Sequence, residues 1–298
     1  MTTLDLRRRF FAEELEAVCK LRSSRLVDAF ATVPREQYLG PGPWMVLAES
    51  PYMPGAASFA AAGLSLRATP DADPGRVYHN IAVAIDPARQ LFNGQPGTLA
   101  VWLDMLDLAW GARVLHVGSG LGYYTAVIAQ AVGASGRVVA FEVDDALATG
   151  ARQNLAALSW VDVRCGDSSQ IAGEVFDAIM VNAGVTHPLD AWLDALAPGG
   201  RMILPITSTM PAMGPTLGKG LVFVLTRQSE TSFTAQVLTV VAVYSAIGLR
   251  DEQLNEGVGK AMMGGPAKWQ AVKRLRRDAH AVDGTCWFHA SNCCLSTV

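Results

Sequence analysis

Gly118, Gly120 and Gly122 stand two residues apart in the stretch "LHVGSGLGYYTA", between an apolar strand-like run and a helical pattern. Glycines there let the backbone turn sharply and let a ligand come close to the start of a helix, where N–H groups point outward. A dinucleotide fingerprint would read G-x-G-x-x-G, and its third glycine would fall on Tyr123. The observed G-x-G-x-G therefore argues against a nicotinamide dehydrogenase. Two carboxylates follow at the ends of the next strand-like runs. Glu142 ends "RVVAFEV", where a carboxylate can accept hydrogen bonds from both hydroxyls of a ribose. Asp167, in "CGDSS", ends the third run, where it or the neighbouring backbone can meet an adenine amino group. Three successive strand ends thus have the chemistry to hold an adenosine-bearing ligand.

Other polar residues are less telling alone. "FNGQPGT" at 92–98 combines Asn-Gly, Pro and a second Gly before an apolar helical pattern, and on backbone grounds it is a turn. "NAGVTHP" at 182–188 can be a helix start with Pro188 in its first turn. Tyr78, His79 and Asn80 precede the 92–98 turn and could face the same crevice or edge a strand. Five cysteines make an odd number, so a disulfide framework is not expected. The tail "CWFHASNCC" brings Cys286, His289, Cys293 and Cys294 within ligand reach, but without the second ligand pair of a structural zinc site. It reads as an irregular tail with ordinary thiols, and no metal is expected.

The elements that must position these groups fall into three stretches. Residues 4–20 and 24–32 have helical spacing, 33–44 break it with prolines and glycines, and 51–75 read as a loop or lid. "VYHNIAVAI" (77–85) reads as a strand and 97–109 as a helix. From 113 the texture alternates: strands at 113–117, 137–143, 161–165, 176–182 and 201–206, helices at 122–132, 145–158 and 188–196. That order predicts a parallel, doubly wound α/β sheet with its ligand crevice at the carboxyl ends of the strands. Strands at 221–227 and 233–245 complete an antiparallel hairpin. Beyond 249 lies an extension in which "PAKWQAVKRLRRDA" reads as a basic, solvated helix.

Composition fits a globular enzyme. Half of the 298 residues are hydrophobic and 17% are charged. A net charge of -3 gives no reason to expect nucleic acid or an anionic membrane as a partner. The longest nearly apolar run, 237–249, is shorter than the roughly 20 residues a bilayer requires. The N-terminus lacks the uninterrupted apolar core of a signal peptide, so the expected compartment is the cytoplasm.

"VLHVGSGLGYYTAVIA", "FEVD", "GD", "FDAIMVNAG" and "LAPGGRMILPI" together resemble the class I S-adenosylmethionine-dependent methyltransferases. With "AFATVPREQYL" (29–39), "NGQPGTLA" and the C-terminal strand pair, the chain is most similar to the protein-L-isoaspartate O-methyltransferase family over roughly residues 24–245. The resemblance implies a Rossmann-like sheet of about seven strands with N-terminal helices and a C-terminal extension. It divides the chain into an N-terminal region covering the active site (1–95), a cofactor domain (96–249) and the extension (250–298). The implied cofactor is S-adenosyl-L-methionine. Gly118, Ser119, Gly120 and Gly122 would line its methionine end, Glu142 its ribose, and Asp167 with Ser168 its adenine. Asn182 and His187 would shape the acceptor pocket. The implied reaction is methyl transfer to an isoaspartyl carboxylate in a protein or peptide, by a monomer or homodimer.

Two positions depart from the family pattern. Gly94-Gln95-Pro96 stands where members usually carry Ser-Gln-Pro, so the hydroxyl expected to bond the acceptor carboxylate is missing. Asn93, Thr98 or a backbone N–H could substitute. His116 stands where the class usually has an acid that helps hold the methionine amino group. The alternatives are the same cofactor used on a small metabolite or modified peptide, and a non-catalytic relative that keeps the fold.

Overall fold

Thr2 sets the first element: its hydroxyl accepts from Asp5 N, and the Asp5 carboxylate accepts from Thr2 N in return, a capping box that opens α1 (Thr3–Cys19). The Ser23 hydroxyl caps α2 (Ser24–Thr32) in a similar way. The two helices bury Phe11, Leu15, Leu26 and Phe30, with the rings of Phe11 and Phe30 edge to face at 6.4 Å. The computed structural model describes residues 2–47, 66–171, 173–209 and 216–298. Short strands β1 (Met45–Leu47) and β2 (Leu66–Ala68) pair antiparallel, as do β3 (Ala84–Asp86) and β4 (Leu91–Phe92). The lid expected over 51–75 lies outside the described residues up to 65; beyond it the chain forms β2 and a 3-10 turn at Pro74–Val77.

The strand expected at 77–85 is a correction. Only Ala84–Asp86 is extended in a sheet; the residues before it make a turn whose carbonyls bond the buried Arg35. Helix α3 (Pro96–Met105) begins with Pro in its first turn, where a missing N–H costs nothing. The buried Asp104 on α3 receives Arg22 Nε and the backbone N–H groups of Arg22 and Ser23.

From Arg113 the alternating pattern holds: β5 (Arg113–Val117), α4 (Tyr123–Val132), β6 (Arg137–Glu142), α5 (Asp145–Asn154), β7 (Val161–Cys165), β8 (Phe176–Val181), α6 (Asp190–Ala195) and β9 (Leu196–Thr209). The long strands β10 (Leu217–Arg227) and β11 (Ser232–Tyr244) form the expected hairpin. The 250–298 extension differs most from expectation. It folds as α7 (Glu252–Met263), α8 (Pro266–Gln270), β12 (Arg274–Arg276), β13 (Cys286–His289) and β14 (Cys294–Ser296). The basic run is thus helical only at its start and ends in a strand, and the cysteine tail is not irregular.

The chain forms two compact units. One comprises Met1–Gly111, Ser119–Val138 and Asp144–Val163; the other Ala112–Gly118, Val139–Val143 and Arg164–Val298. The main sheet has ten strands in the order β13-β14-β12-β11-β10-β9-β8-β5-β6-β7. It exceeds the expected seven or so because the extension adds three strands beyond β11. β8 runs parallel to both β5 and β9, whereas β10 and β11 are antiparallel. After β5 the chain steps outward through β6 and β7, then returns to place β8 on the other side of β5. That reversal is a topological switch point, where ligands of open α/β sheets bind at the carboxyl strand ends. A core of Leu115, Phe141, Ile179, Trp192, Leu204 and Phe223, all nearly or fully inaccessible, fixes those ends.

Candidate functional site

The loop after β5 is built so that glycine is required. Gly118, Gly120 and Gly122 have φ of +81°, +54° and +95°. A Cβ on Gly118 would sit 3.2 Å from the carbonyl oxygen of Asn182, and one on Gly122 would meet Leu155 Cδ1 at 2.7 Å. Gly122 opens α4 without a side-chain cap, which leaves first-turn N–H groups for a ligand. Ser119 Oγ is buried and has no hydrogen-bond partner among the described residues. An orphaned hydroxyl beside an uncapped helix start fits a polar ligand end, as an amino-acid carboxylate would be.

The neighbouring strand ends carry the expected carboxylates. Glu142 is the last residue of β6, its side chain almost fully buried and its carbonyl accepting from Gly166 N. Asp167 accepts from Ser169 N at 3.0 Å and Ser169 Oγ at 2.6 Å, and these bonds hold its pKa below the usual carboxylate value. Ser168, at φ +62°, gives its hydroxyl to the Asp167 carbonyl and accepts Trp192 Nε1 at 3.1 Å. Its side chain is committed to the protein, which leaves only its backbone for the adenine contact expected of it. His116, in mid-β5, is inaccessible to water, and burial pushes its imidazole down to about 4.

Asn182 follows β8, and its Nδ2 donates to Gly118 O at 3.4 Å. The structure therefore places it against the glycine loop. The His187 ring bonds the Thr186 hydroxyl at 3.0 Å through Nδ1, and burial lowers its pKa.

The 92–98 turn is held by residues that sequence reasoning passed over. Arg35, fully buried, donates to the carbonyls of Val77, His79 and Ile81 and to Asn93 Oδ1. Val83 N also donates to Asn93 Oδ1, at 3.0 Å. Two donors on the oxygen fix the amide's orientation and leave Nδ2, which is buried without a partner among the described residues. Gly94 has φ +82°, and a Cβ there would stand 3.0 Å from Leu99 Cδ2. Tyr124 donates its hydroxyl to Gly94 O, Thr98 Oγ1 donates to Gln95 Oε1, and Asn80 accepts Gly97 N at 2.7 Å. Asn80 thus supports the turn. The Tyr78 hydroxyl is tied instead to Arg8, Arg35 N and Glu36. The signal for Arg35 was in "VPREQYL", but nothing in one sequence says that an arginine there is buried.

Comparison with known proteins gives the arrangement a family. The profile of "Protein-L-isoaspartate(D-aspartate) O-methyltransferase" matches residues 69–220. A protein-L-isoaspartate O-methyltransferase of Methanopyrus kandleri is 28% identical over 199 residues, 65% of this chain and 74% of that protein. Another, from Syntrophobacter fumaroxidans, is 34% identical over 178 residues, 58% of this chain and 68% of the relative. Against several other curated relatives the chain spans about half of their length. A Plasmodium falciparum structure, a putative protein-L-isoaspartate O-methyltransferase in complex with S-adenosyl-L-homocysteine, shares the fold at TM-score 0.58 and 18% identity, covering 80% of this chain and 97% of that one. The profile match over half of the sequence and the two-thirds coverage of the Syntrophobacter relative establish that the chain belongs to the protein-L-isoaspartate(D-aspartate) O-methyltransferase family.

Proposed function

We propose that the chain is an S-adenosylmethionine-dependent methyltransferase that esterifies the free carboxylate of isoaspartyl residues in proteins or peptides. The observation that carries the acceptor is Asn93 Nδ2, a buried donor with no partner among the described residues, in the turn where the family hydroxyl is missing. A carboxylate oxygen would satisfy it. On the cofactor side, the α4 start and Ser119 would hold the amino-acid end, Glu142 the ribose, and Asp167 with the Ser168 backbone the adenine. S-adenosylmethionine would supply an electrophilic methyl on its sulfonium. The acceptor, with an ordinary carboxyl pKa of about 4, is already ionised at neutral pH, so no side chain needs to remove a proton. The chain's task is alignment and exclusion of water. The neutral His116 adds no charge attraction for the cofactor ammonium, leaving backbone and hydroxyl contacts to bind that end.

Cytoplasmic action accords with five cysteines that form no disulfide. Among the described residues no helix is long and apolar enough to cross a membrane.

Gly94 favours a second reading, the same cofactor used on a small metabolite or a modified peptide. Its left-handed backbone disfavours the family serine, so the turn is shaped for an acceptor that does not need that hydroxyl.

The deciding experiment is transfer of labelled methyl to an isoaspartyl peptide, with the aspartyl peptide as control and base-labile release as the mark of an ester. Asn93→Ala should lower kcat/KM by about 10- to 100-fold, the loss of one hydrogen bond to a charged group. Gly94→Ser should lose about 1–2 kcal/mol of stability through its positive φ and gain no activity. Cofactor binding without transfer to the isoaspartyl peptide, or transfer only in Gly94→Ser, would move the assignment to the second reading.

A further inference from the structure

His280, Cys286, His289 and Cys294 bring one potential ligand atom each to within 4.8 Å of one another. In a tetrahedral zinc site, with Zn–N about 2.0 Å and Zn–S about 2.3 Å, ligand atoms lie about 3.3–3.8 Å apart. The Cys286 Sγ to His280 Nε2 distance, 3.6 Å, already falls there.

The backbone is shaped to make this group. Cys286 and His289 are three apart on β13, and in a regular strand they would point to opposite faces. The pairing of β13 with β14 shifts register between Cys286 and Phe288, and a bulge of this kind re-aims side chains. It turns Cys286 toward His289, while Cys294 stands directly across from His289 on β14. His280 comes in from the connection between β12 and β13. Its Nδ1 lies 2.8 Å from the Asp278 carbonyl, a bond that fixes the tautomer and leaves Nε2 to coordinate. Asp283 N and Arg276 Nη2 direct N–H groups at Cys286 Sγ at 3.5 and 3.9 Å, the outer bonds that steady a coordinating thiolate. His289 Nδ1 is buried with no partner among the described residues, and coordination supplies one. A cavity of about 330 Å³ bordered by Gln253, Lys260, Cys286, Trp287 and His289 offers an entry path.

We propose that these four residues bind one zinc ion. Two thiolates and two imidazoles in a closed tetrahedral set select zinc and leave no position for substrate, so the ion is structural. It ties the three short strands of the extension to the exposed connection between β12 and β13, elements too brief to stay ordered on a core of their own. The proposal is independent of the acceptor. Of the four residues grouped from the sequence, Cys293 is buried in the apolar core instead, and His280 takes its place.

The test uses the full-length chain purified without a polyhistidine tag. Elemental analysis should find about one zinc per chain. Exchange for cobalt(II) should give the visible bands of a tetrahedral site with thiolate-to-metal charge transfer. Cys286→Ser and Cys294→Ser should lose the metal, Cys293→Ser should keep it, and a chelator should lower the unfolding temperature until zinc is returned. No metal after zinc reconstitution, an octahedral cobalt spectrum, or a mass showing Cys286 and Cys294 joined as a disulfide would overturn the proposal. The cobalt spectrum is read on the unsubstituted chain, so it decides even where a variant fails to fold.

Discussion

His116 sits opposite Met180 in the parallel pairing of β5 with β8, where no water reaches it. Burial disfavours its charged form and holds its pKa near 4, against an ordinary value of about 6.5. The unfolded chain therefore binds a proton at this residue as pH falls below 6.5, whereas the folded chain does so only near 4. Stability rises with pH across that window: the contribution is full above 6.5 and is lost as pH falls toward 4. Between pH 7 and pH 5 the expected loss is about 2 kcal/mol from this residue alone. Urea unfolding at both pH values, on the protein and on His116→Asn, isolates the term, because the carboxylates titrate alike in the two. The variant should show a drop smaller by about that amount. Equal drops would mean that the imidazole is not kept neutral by the fold. If the cofactor binds as proposed, the same neutrality offers its ammonium no charge attraction at a position where the family resemblance leads one to expect an acid.

At the scale of elements, Arg35 does for the N-terminal unit what no periodic pattern does. Its planar fork draws the carbonyls of Val77, His79 and Ile81 inward and holds Asn93 in place at the start of the 92–98 turn, while Tyr123 stacks against it at 5.7 Å. Arg35→Ala would leave the Val77 and Ile81 carbonyls without a donor and take one of two donors from the His79 carbonyl and from Asn93 Oδ1, with an expected cost of about 3 kcal/mol or more. Arg35→Lys should not rescue it, since a single ammonium cannot reproduce the fork. Thermal unfolding reads the first effect, and a rise in peptide KM at unchanged cofactor affinity reads the loosened turn. If Arg35→Lys behaves as the parent, the fork is not what positions Asn93. The arginine also explains what the sequence concealed. Residues 77–85 read like a strand, but the carbonyls of Val77, His79 and Ile81 bond a side chain more than 40 positions away, and sheet pairing is left to the end of the run. The 113–117 and 161–165 strands, by contrast, were legible to the residue, because short apolar or alternating runs bounded by turn residues leave no competing solution. The glycine loop was legible for the same local reason. His280 was not: five residues separate it from Cys286, and only the β13 bulge reveals the group they share.

On the scale of the whole molecule, the extension after Leu249 is part of the main core. Val258, Val272, Leu275, Phe288, Cys293 and Leu295 are buried in one cluster with Leu221, Phe223 and Phe233 of the central hairpin. Trp287 packs against Phe223 with ring centroids 5.7 Å apart. Arg250 opens the extension by donating to Gly184 O, Thr207 O and the side chains of Thr207 and Asn255, which joins the loop after β8 to β9 and α7. Each large apolar side chain removed from such a core forfeits about 1.5–3 kcal/mol of burial. The five among these, Val258, Val272, Leu275, Phe288 and Leu295, together match the about 5–15 kcal/mol by which a folded domain outlasts its unfolded chain. Removal would also bare the edge of β11, whose Ser232–Thr234 pair with β12, to association with other chains. A chain ending at residue 249 should therefore fail to fold, aggregating on expression or binding a hydrophobic dye with no cooperative thermal transition. A cooperative transition within a few degrees of the full-length value would show that the core closes without the last fifty residues, and that the methyltransferase region is self-sufficient. Failure to fold would instead make the extension, and whatever holds its short strands together, a condition for the strand ends that carry Glu142 and Asp167 to exist at all.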